Sequence, residues 1–249
     1  MKEVKYVLEV AVFNTDKNFQ ISKDYFKTND RLKLVEKAQN SECDILCLRF
    51  NCENIEDVSV AKKYLIDILP KIKKPLMING SGNDEIDKKL LPELISVLKK
   101  ESIISNANEN TYKSIIPFIK NHKLVLKTPI DINLCKELNI LSVDFGLSKD
   151  KIIMDTDIGG LGYGLDYGYS TIEKIKLEDD EYLNLPIISF VTYESLKTKE
   201  AKTEMNNWGE LSKRANMFEL ASASALKAAG ADIIVMYNPC NIKIMKGLK

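Results

Sequence analysis

Nine polar residues fall in or just after short apolar runs: Glu9, Arg49, Asn79, Asn106, Asn108, Lys127, Asp155, Thr192 and Asn238. A polar group so placed is costly unless it is paired, wetted or reserved for a ligand. Glu9 and Arg49 carry the charges of a buried ion pair, and Lys127 and Asp155 can pair in the same way. Asn79 and Asn106 are neutral amides that both donate and accept, which suits the edge of a polar ring such as a pterin or a corrin amide. Asp155 and Asp157 offer oxygens to a hard cation, but a glycine turn begins at once and no metal is expected.

That turn is the densest glycine segment of the chain. Gly159, Gly160, Gly162 and Gly164 are four of the eleven glycines within six residues, interleaved with Leu161 and Tyr163. Such backbone freedom serves either several positive φ angles or the close approach of a ligand. The order G-x-x-G-x-G lacks the G-x-G-x-x-G spacing and the later acidic residue of a dinucleotide site, so the phosphate-loop signal is weak.

Several chemistries are excluded. The single histidine, His122, precedes an apolar run rather than following one, so neither a Ser-His-Asp set nor a Cys-His pair nor a histidine metal site can form among the residues above. The five cysteines are odd in number and scattered, as free thiols of a reducing compartment are, and Cys43, Cys47 and Cys52 lack C-x2-C spacing. No iron-sulfur cluster is expected on this chain. Lys plus Arg equals Asp plus Glu at 36 each, leaving no net field for nucleic acid or an anionic membrane. No apolar run reaches the roughly 18 residues of a membrane span, and the start, Met1-Lys2-Glu3-Val4, lacks a signal-peptide core. A cytoplasmic location is expected.

Eight apolar runs read as strands: Val4–Phe13, Cys43–Phe50, Pro75–Asn79, Ser102–Asn106, Leu124–Thr128, Lys151–Asp155, Pro186–Thr192 and Ala231–Tyr237. Helical periodicity fills the intervals over Asp30–Asn40, Ile55–Ile72, Asp84–Lys100, Asn110–Asn121, Ile130–Phe145, Tyr167–Lys176 and Arg214–Ala229, with a final helix at Pro239–Lys249. Strict alternation implies a parallel sheet with right-handed crossovers. Eight such units in this length predict one α/β domain over residues 1–249, a closed (β/α)8 TIM barrel. The polar strand ends then share its functional face. The polar stretch Lys197–Lys213, which holds the only tryptophan, Trp208, forms an extended loop there. Tyr163, Tyr167, Tyr193 and Trp208 are candidates for a partner surface, or for helix packing.

Several loops together resemble the small (delta) subunit of the corrinoid iron-sulfur protein in the CO dehydrogenase/acetyl-CoA synthase (acetyl-CoA decarbonylase/synthase) complex. They are Asn79-Gly80-Ser81-Gly82-Asn83-Asp84-Glu85, Asn108-Glu109-Asn110-Thr111-Tyr112, Pro129-Ile130-Asp131-Ile132-Asn133-Leu134, the glycine-rich Gly159–Tyr169, Thr192-Tyr193-Glu194 and Ala228-Ala229-Gly230-Ala231-Asp232-Ile233. Each is weak alone; their order and spacing are specific. The chain departs from the family at Thr156, Asp157 and Ile158, at Tyr237-Asn238-Pro239-Cys240, and in beginning almost at its first strand.

The resemblance implies a barrel that forms a heterodimer with a corrinoid iron-sulfur protein large subunit and covers a corrinoid (cobalamin) shared with it. It also implies a place in the Wood-Ljungdahl pathway, where a methyl group passes from a tetrahydropterin to acetyl-CoA synthase; a pterin methyltransferase and acetyl-CoA synthase are further expected partners. The expected role is that of a non-catalytic subunit, with Asn79, Asn106, Asp155, Gly159, Gly160, Leu161, Gly162, Tyr163, Gly164 and Thr192 as cofactor-binding candidates. The alternatives are a stand-alone pterin-dependent barrel methyltransferase, with Asn79, Asn106 and Asp155 on the pterin ring, and a scaffold subunit that binds neither group.

Overall fold

A computed structural model describes residues 3–13 and 24–248. Its strands are β1 (Lys5–Phe13), β2 (Ile45–Phe50), β3 (Leu76–Asn79), β4 (Ser102–Ala107), β5 (Lys123–Lys127), β6 (Ile152–Asp155), β7 (Ile188–Phe190) and β8 (Ile233–Met236). The principal helices are α1 (Arg31–Gln39), α2 (Asp57–Ile68), α3 (Asp84–Ile95), α4 (Tyr112–Ile119), α5 (Ile132–Asp144), α6 (Leu165–Leu177), α7 (Leu211–Ala229) and α8 (Pro239–Gly247). Parallel ladders run in the order β6-β5-β4-β3-β2-β1-β8-β7. A bridge between Met154 and Ile187, with the Met154 amide donating to the Pro186 carbonyl at 2.8 Å, closes the ring. The expected (β/α)8 barrel is the observed fold. Lys149–Lys151 forms a single 3-10 turn ahead of β6, and Lys249 lies outside the described residues.

Strand alternation divides the core. Leu8, Val10, Leu46, Leu48, Ile78, Ile104, Leu126 and Met154 face outward and pack under the helices. Val7, Cys47, Met77, Val125, Ile153, Ile188 and Val235 fill the interior. Cys47 therefore serves as a small apolar side chain, and the described cysteines are all free. One step higher, the inward positions turn polar: Glu9, Arg49, Asn79, Lys127 and Asp155, with Arg49 opposite Asn79 and Lys127 opposite Asp155 in register.

The turns above these strands are set by short polar side chains. Asp30, Asn83, Asp131 and Asn238 each accept backbone N–H groups at a helix start and satisfy donors that the helix leaves open. Asn238 thus serves α8, and its amide also donates to Asn216 Oδ1 at 2.7 Å. His122 is buried at the opposite end, where Nδ1 accepts the Ser102 amide at 3.2 Å. Among the described residues no helix is long and apolar enough to cross a membrane.

Strand β7 ends earlier than its apolar run suggests, and Val191–Ser195 is a helical turn. The reason lies in Glu219 of α7, which is buried beside it. Its carboxylate accepts the Thr192 hydroxyl, the Tyr237 amide at 2.8 Å, the Asn238 amide at 3.2 Å and Asn241 Nδ2 at 2.6 Å. One charge thereby joins the ends of β7 and β8 to α7 and α8. Burial raises its pKa and these bonds oppose the rise. Replacing Glu219 with Ala leaves several buried donors without an acceptor, and urea unfolding is expected to show a loss of about 3 kcal/mol. A loss under about 1 kcal/mol would contradict the role given to this hub.

Candidate site at the barrel mouth

Glu9 is fully buried, and Arg49 Nη1 lies 3.4 Å from Glu9 Oε1. The same oxygen accepts Asn79 Nδ2 at 2.8 Å. Burial pushes the Glu9 carboxyl up, against the Arg49 charge and hydrogen bonds from Asn79, Arg49 and Tyr237. The expected Glu9–Arg49 pair is present, and Asn79 is tied into it. Arg49 also donates to Asn51 Oδ1 at 2.7 Å, and its guanidinium lies 5.5 Å from the Tyr193 ring centre. Lys197 stands over that ring at 4.2 Å.

The loop after β3 is shaped by Asp87 of α3. Its carboxylate accepts the Ser81 amide and hydroxyl and the Gly82 amide, each at 2.8 Å. A Cβ at Gly80 would stand 2.7 Å from Asp87 Oδ1, so only glycine fits there. Asp84 accepts Asn108 Nδ2 and Asn110 Nδ2, each at 2.8 Å, joining this loop to the one after β4. These motif residues frame a hollow of about 190 Å³ lined by Arg49, Asn79, Asn106, Asn108, Lys127 and Tyr193. Asn106 is half-buried, and its amide makes no side-chain hydrogen bond to another described residue. A second open hollow of about 370 Å³ adjoins it, sharing Asn108 and Lys127 and continuing over Pro129, Leu138 and Asp157.

Lys127 stands between two acids. It lies 3.6 Å from Asp157, while Asp155 below accepts the Asp157 amide at 3.0 Å. Burial works to lower the Lys127 pKa, but Asp155 and Asp157 outweigh it, so the lysine stays charged. Asp155 is 2% exposed, and its second oxygen has no hydrogen-bond partner among the described residues. Burial raises its pKa to about 7, with Lys127 pulling down and Asp157 pushing up. Among the described residues no group of three or more metal-ligating side chains is assembled.

The glycine loop owes most of its composition to itself. A Cβ on Gly159 would meet the Gly164 carbonyl carbon at 2.8 Å, and one on Gly160 would meet Thr198 Cγ2 at 2.6 Å and Glu194 O at 3.1 Å. Gly164, at φ +103°, precedes α6, and Gly168 within α6 packs against the Ile158 backbone. Only Gly162, at φ +79°, faces open space. Beside it Tyr163 is 58% and Tyr167 69% exposed, and the Tyr163 hydroxyl meets Glu200 Oε1 at 3.4 Å. Leu161 packs partly against the core. Of the ten candidate positions, the structure presents Asn106, Gly162 and Tyr163 to solvent at the mouth or beside it, whereas Thr192 is engaged with Glu219. Arg49, Asn108, Lys127 and Tyr193 complete the mouth lining. Position at strand ends signalled the first three, but their convergence on one hollow depends on barrel closure.

Two outcomes are expected here. Gly160→Ala should cost markedly more stability than Gly162→Ala, for which about 1 kcal/mol of left-handed strain is the main term; equal losses in urea unfolding would refute the packing account. For Asp155, the folded pKa lies above the unfolded carboxylate value, so its ionisation costs stability as pH rises from about 4 to about 7. Relative to the native chain, Asp155→Asn should therefore gain several °C in Tm between pH 4 and pH 8. A gain that is independent of pH would contradict this.

The family of the CO dehydrogenase/acetyl-CoA synthase delta subunit matches residues 13–248. The acetyl-CoA decarbonylase/synthase complex subunit delta of Methanopyrus kandleri is 31% identical over 195 residues, covering 76% of this chain and 48% of its own. The Archaeoglobus fulgidus subunit of the same name is 32% identical over 201 residues, covering 76% and 44%. The chain thus spans about half the length of these relatives. Among solved structures, the dihydropteroate synthase of Coxiella burnetii, in complex with pteroic acid, superposes with a TM-score of 0.66 at 14% identity over 99% of this chain and 93% of that one, which is a likeness of fold. With its family model matched from residue 13 to residue 248, the chain belongs to the CO dehydrogenase/acetyl-CoA synthase delta subunit family.

Proposed function

We propose that this barrel is the subunit of an acetyl-CoA decarbonylase/synthase complex that pairs with a larger corrinoid-bearing subunit and covers the corrinoid while a methyl group moves from a tetrahydropterin toward acetyl-CoA synthase. The observation that carries the proposal is the mouth itself. It offers amides and a lysine around two shallow, open hollows, and the chain's one imidazole is buried at the far end. A hollow of about 190 Å³ is smaller than a typical enclosing ligand pocket, which suits a wall laid against one face of a large ring.

The residues present fit such a ring. The Asn106 amide, without a side-chain hydrogen bond among the described residues, and the Lys127 ammonium can meet polar groups at its edge, and the open tip at Gly162 lets the backbone come close. Bound there, the corrinoid would supply the cobalt chemistry of methyl transfer. The chain would orient the ring and keep water from one face, with Tyr163 and Tyr167 positioned to anchor the partner.

A second reading draws on the fold shared with dihydropteroate synthases, one of them solved with pteroic acid. It places a pterin on Asn79, Asn106 and Asp155, although Asn79 is bound to Glu9 and Asp155 is buried. Tight binding of a tetrahydropterin by the isolated chain would favour this reading. A scaffold role would be favoured if neither pterin nor corrinoid bound while the partner did.

Hydrogen-exchange protection separates the first reading from these. In the heterodimer, residues 106–108 and 159–167 should gain protection when the large subunit carries corrinoid, relative to the corrinoid-free pair. Unchanged protection would overturn it. Asn106→Ala should weaken pairing with the corrinoid-loaded partner about 5- to 20-fold, the value of one or two hydrogen bonds, without altering the stability of the isolated barrel. Unchanged affinity would remove Asn106 from the site.

A further inference from the structure

A hollow of about 780 Å³ is at the end of the barrel opposite the mouth. It runs between the C-terminal ends of α2 and α3 and the starts of β3 and β4. Its floor is aliphatic: Ile66, Leu69, Ile72, Val97 and Leu98. Ile66 is 48% exposed, and the others are only partly covered where they pack on the core. Around it stand Lys73, Lys74, Lys99 and Lys100, with Glu101 the sole acid in the lining. The whole chain carries equal numbers of basic and acidic residues, so this excess is local.

Lys74 donates to the Cys43 carbonyl at 2.5 Å, whereas Lys73, Lys99 and Lys100 have no acidic partner among the described residues. Two helix C-termini favour a nearby cation and account for some of this charge. They do not account for an aliphatic floor left open to water, which marks an interaction site. The hydroxyls that line it are already engaged: Ser96 donates to the Glu93 carbonyl at 2.7 Å and Ser102 to the Lys100 carbonyl at 3.1 Å. A small ligand would find no buried polar group to orient it. Nucleic acid would find no aromatic ring to stack on.

We infer that this groove receives an acidic amphipathic segment of another protein in the assembly. Aliphatic side chains at helical spacing fill the floor, and flanking Asp or Glu side chains meet Lys73, Lys99 and Lys100. The mouth remains free for its own partner, so one barrel bridges two neighbours. The inference rests on the proposed membership of a multi-subunit complex, but not on what the mouth binds.

The test uses the complex isolated from its native host, with a photo-crosslinking amino acid replacing Ile66. The expected product joins this chain to a peptide of a different subunit in which Asp or Glu residues flank apolar ones. The double variant Lys99→Glu/Lys100→Glu should reduce recovery of that subunit about tenfold at low salt, and added salt should reduce it for the native chain. Absence of a cross-link, a cross-link to a second copy of this chain or to a peptide lacking acidic residues, or full recovery with the double variant would each overturn the inference. Thermal unfolding of the double variant controls for folding, and Lys73→Glu replaces it if it melts early. Corrinoid content per barrel separates a fault at the mouth from one at the groove.

Discussion

The Glu9–Arg49 pair, 3.4 Å apart in the uppermost interior layer, is the contact on which the mouth depends. A closed parallel barrel gives each strand an inward position at its upper end, and a charge placed there must be matched from a neighbouring strand. Arg49 matches Glu9 from β2, and Asn79 adds a donor from β3 to the same oxygen. The remaining guanidinium donors then turn outward, to Asn51 and the Ser81 carbonyl. The loop carrying Ser81 is held from below by Asp87, which completes one side of the hollow. On the other side Glu219 performs the corresponding task for the ends of β7 and β8. Three buried carboxylates, Glu9, Asp87 and Glu219, thus set the shape of the mouth.

Much of this architecture is legible in the sequence, because alternation of short apolar runs with helical periods has a physical cause independent of sequence identity. The eight strands and the Glu9–Arg49 pair follow from parity and charge. Other assignments depend on three-dimensional closure. Thr192 occupies a strand end in the apolar pattern, yet its hydroxyl is drawn to Glu219 from a helix 27 residues later. Nothing near Thr192 in sequence announces that acceptor. Asn238 likewise looks like a mouth residue, but it caps α8. Lys127 can pair with Asp155 across one rung by strand parity, but its ion pair is with Asp157, 3.6 Å away and held at φ +53° just past the strand end.

The glycine loop shows why composition alone misleads. Four glycines in six residues invite a ligand, but Gly159 and Gly160 are needed because backbone from the same loop and the 194–198 turn fills the space a side chain would take. Gly162 alone retains an open approach, flanked by exposed Tyr163 and Tyr167. The loop therefore combines a rigid, self-packed base with a narrow accessible tip. A shallow polar mouth beside such a tip suits a covering surface better than an enclosing active site, and the opposite end of the barrel carries an open aliphatic groove edged with lysines.

At the mouth we propose one wall of a shared corrinoid site. Its most direct test is recovery of the tagged chain from its anaerobically grown native host, with the visible spectrum of the recovered material recorded. A stoichiometric larger partner with corrinoid and iron-sulfur absorption is the predicted result. A colourless barrel recovered alone would contradict it.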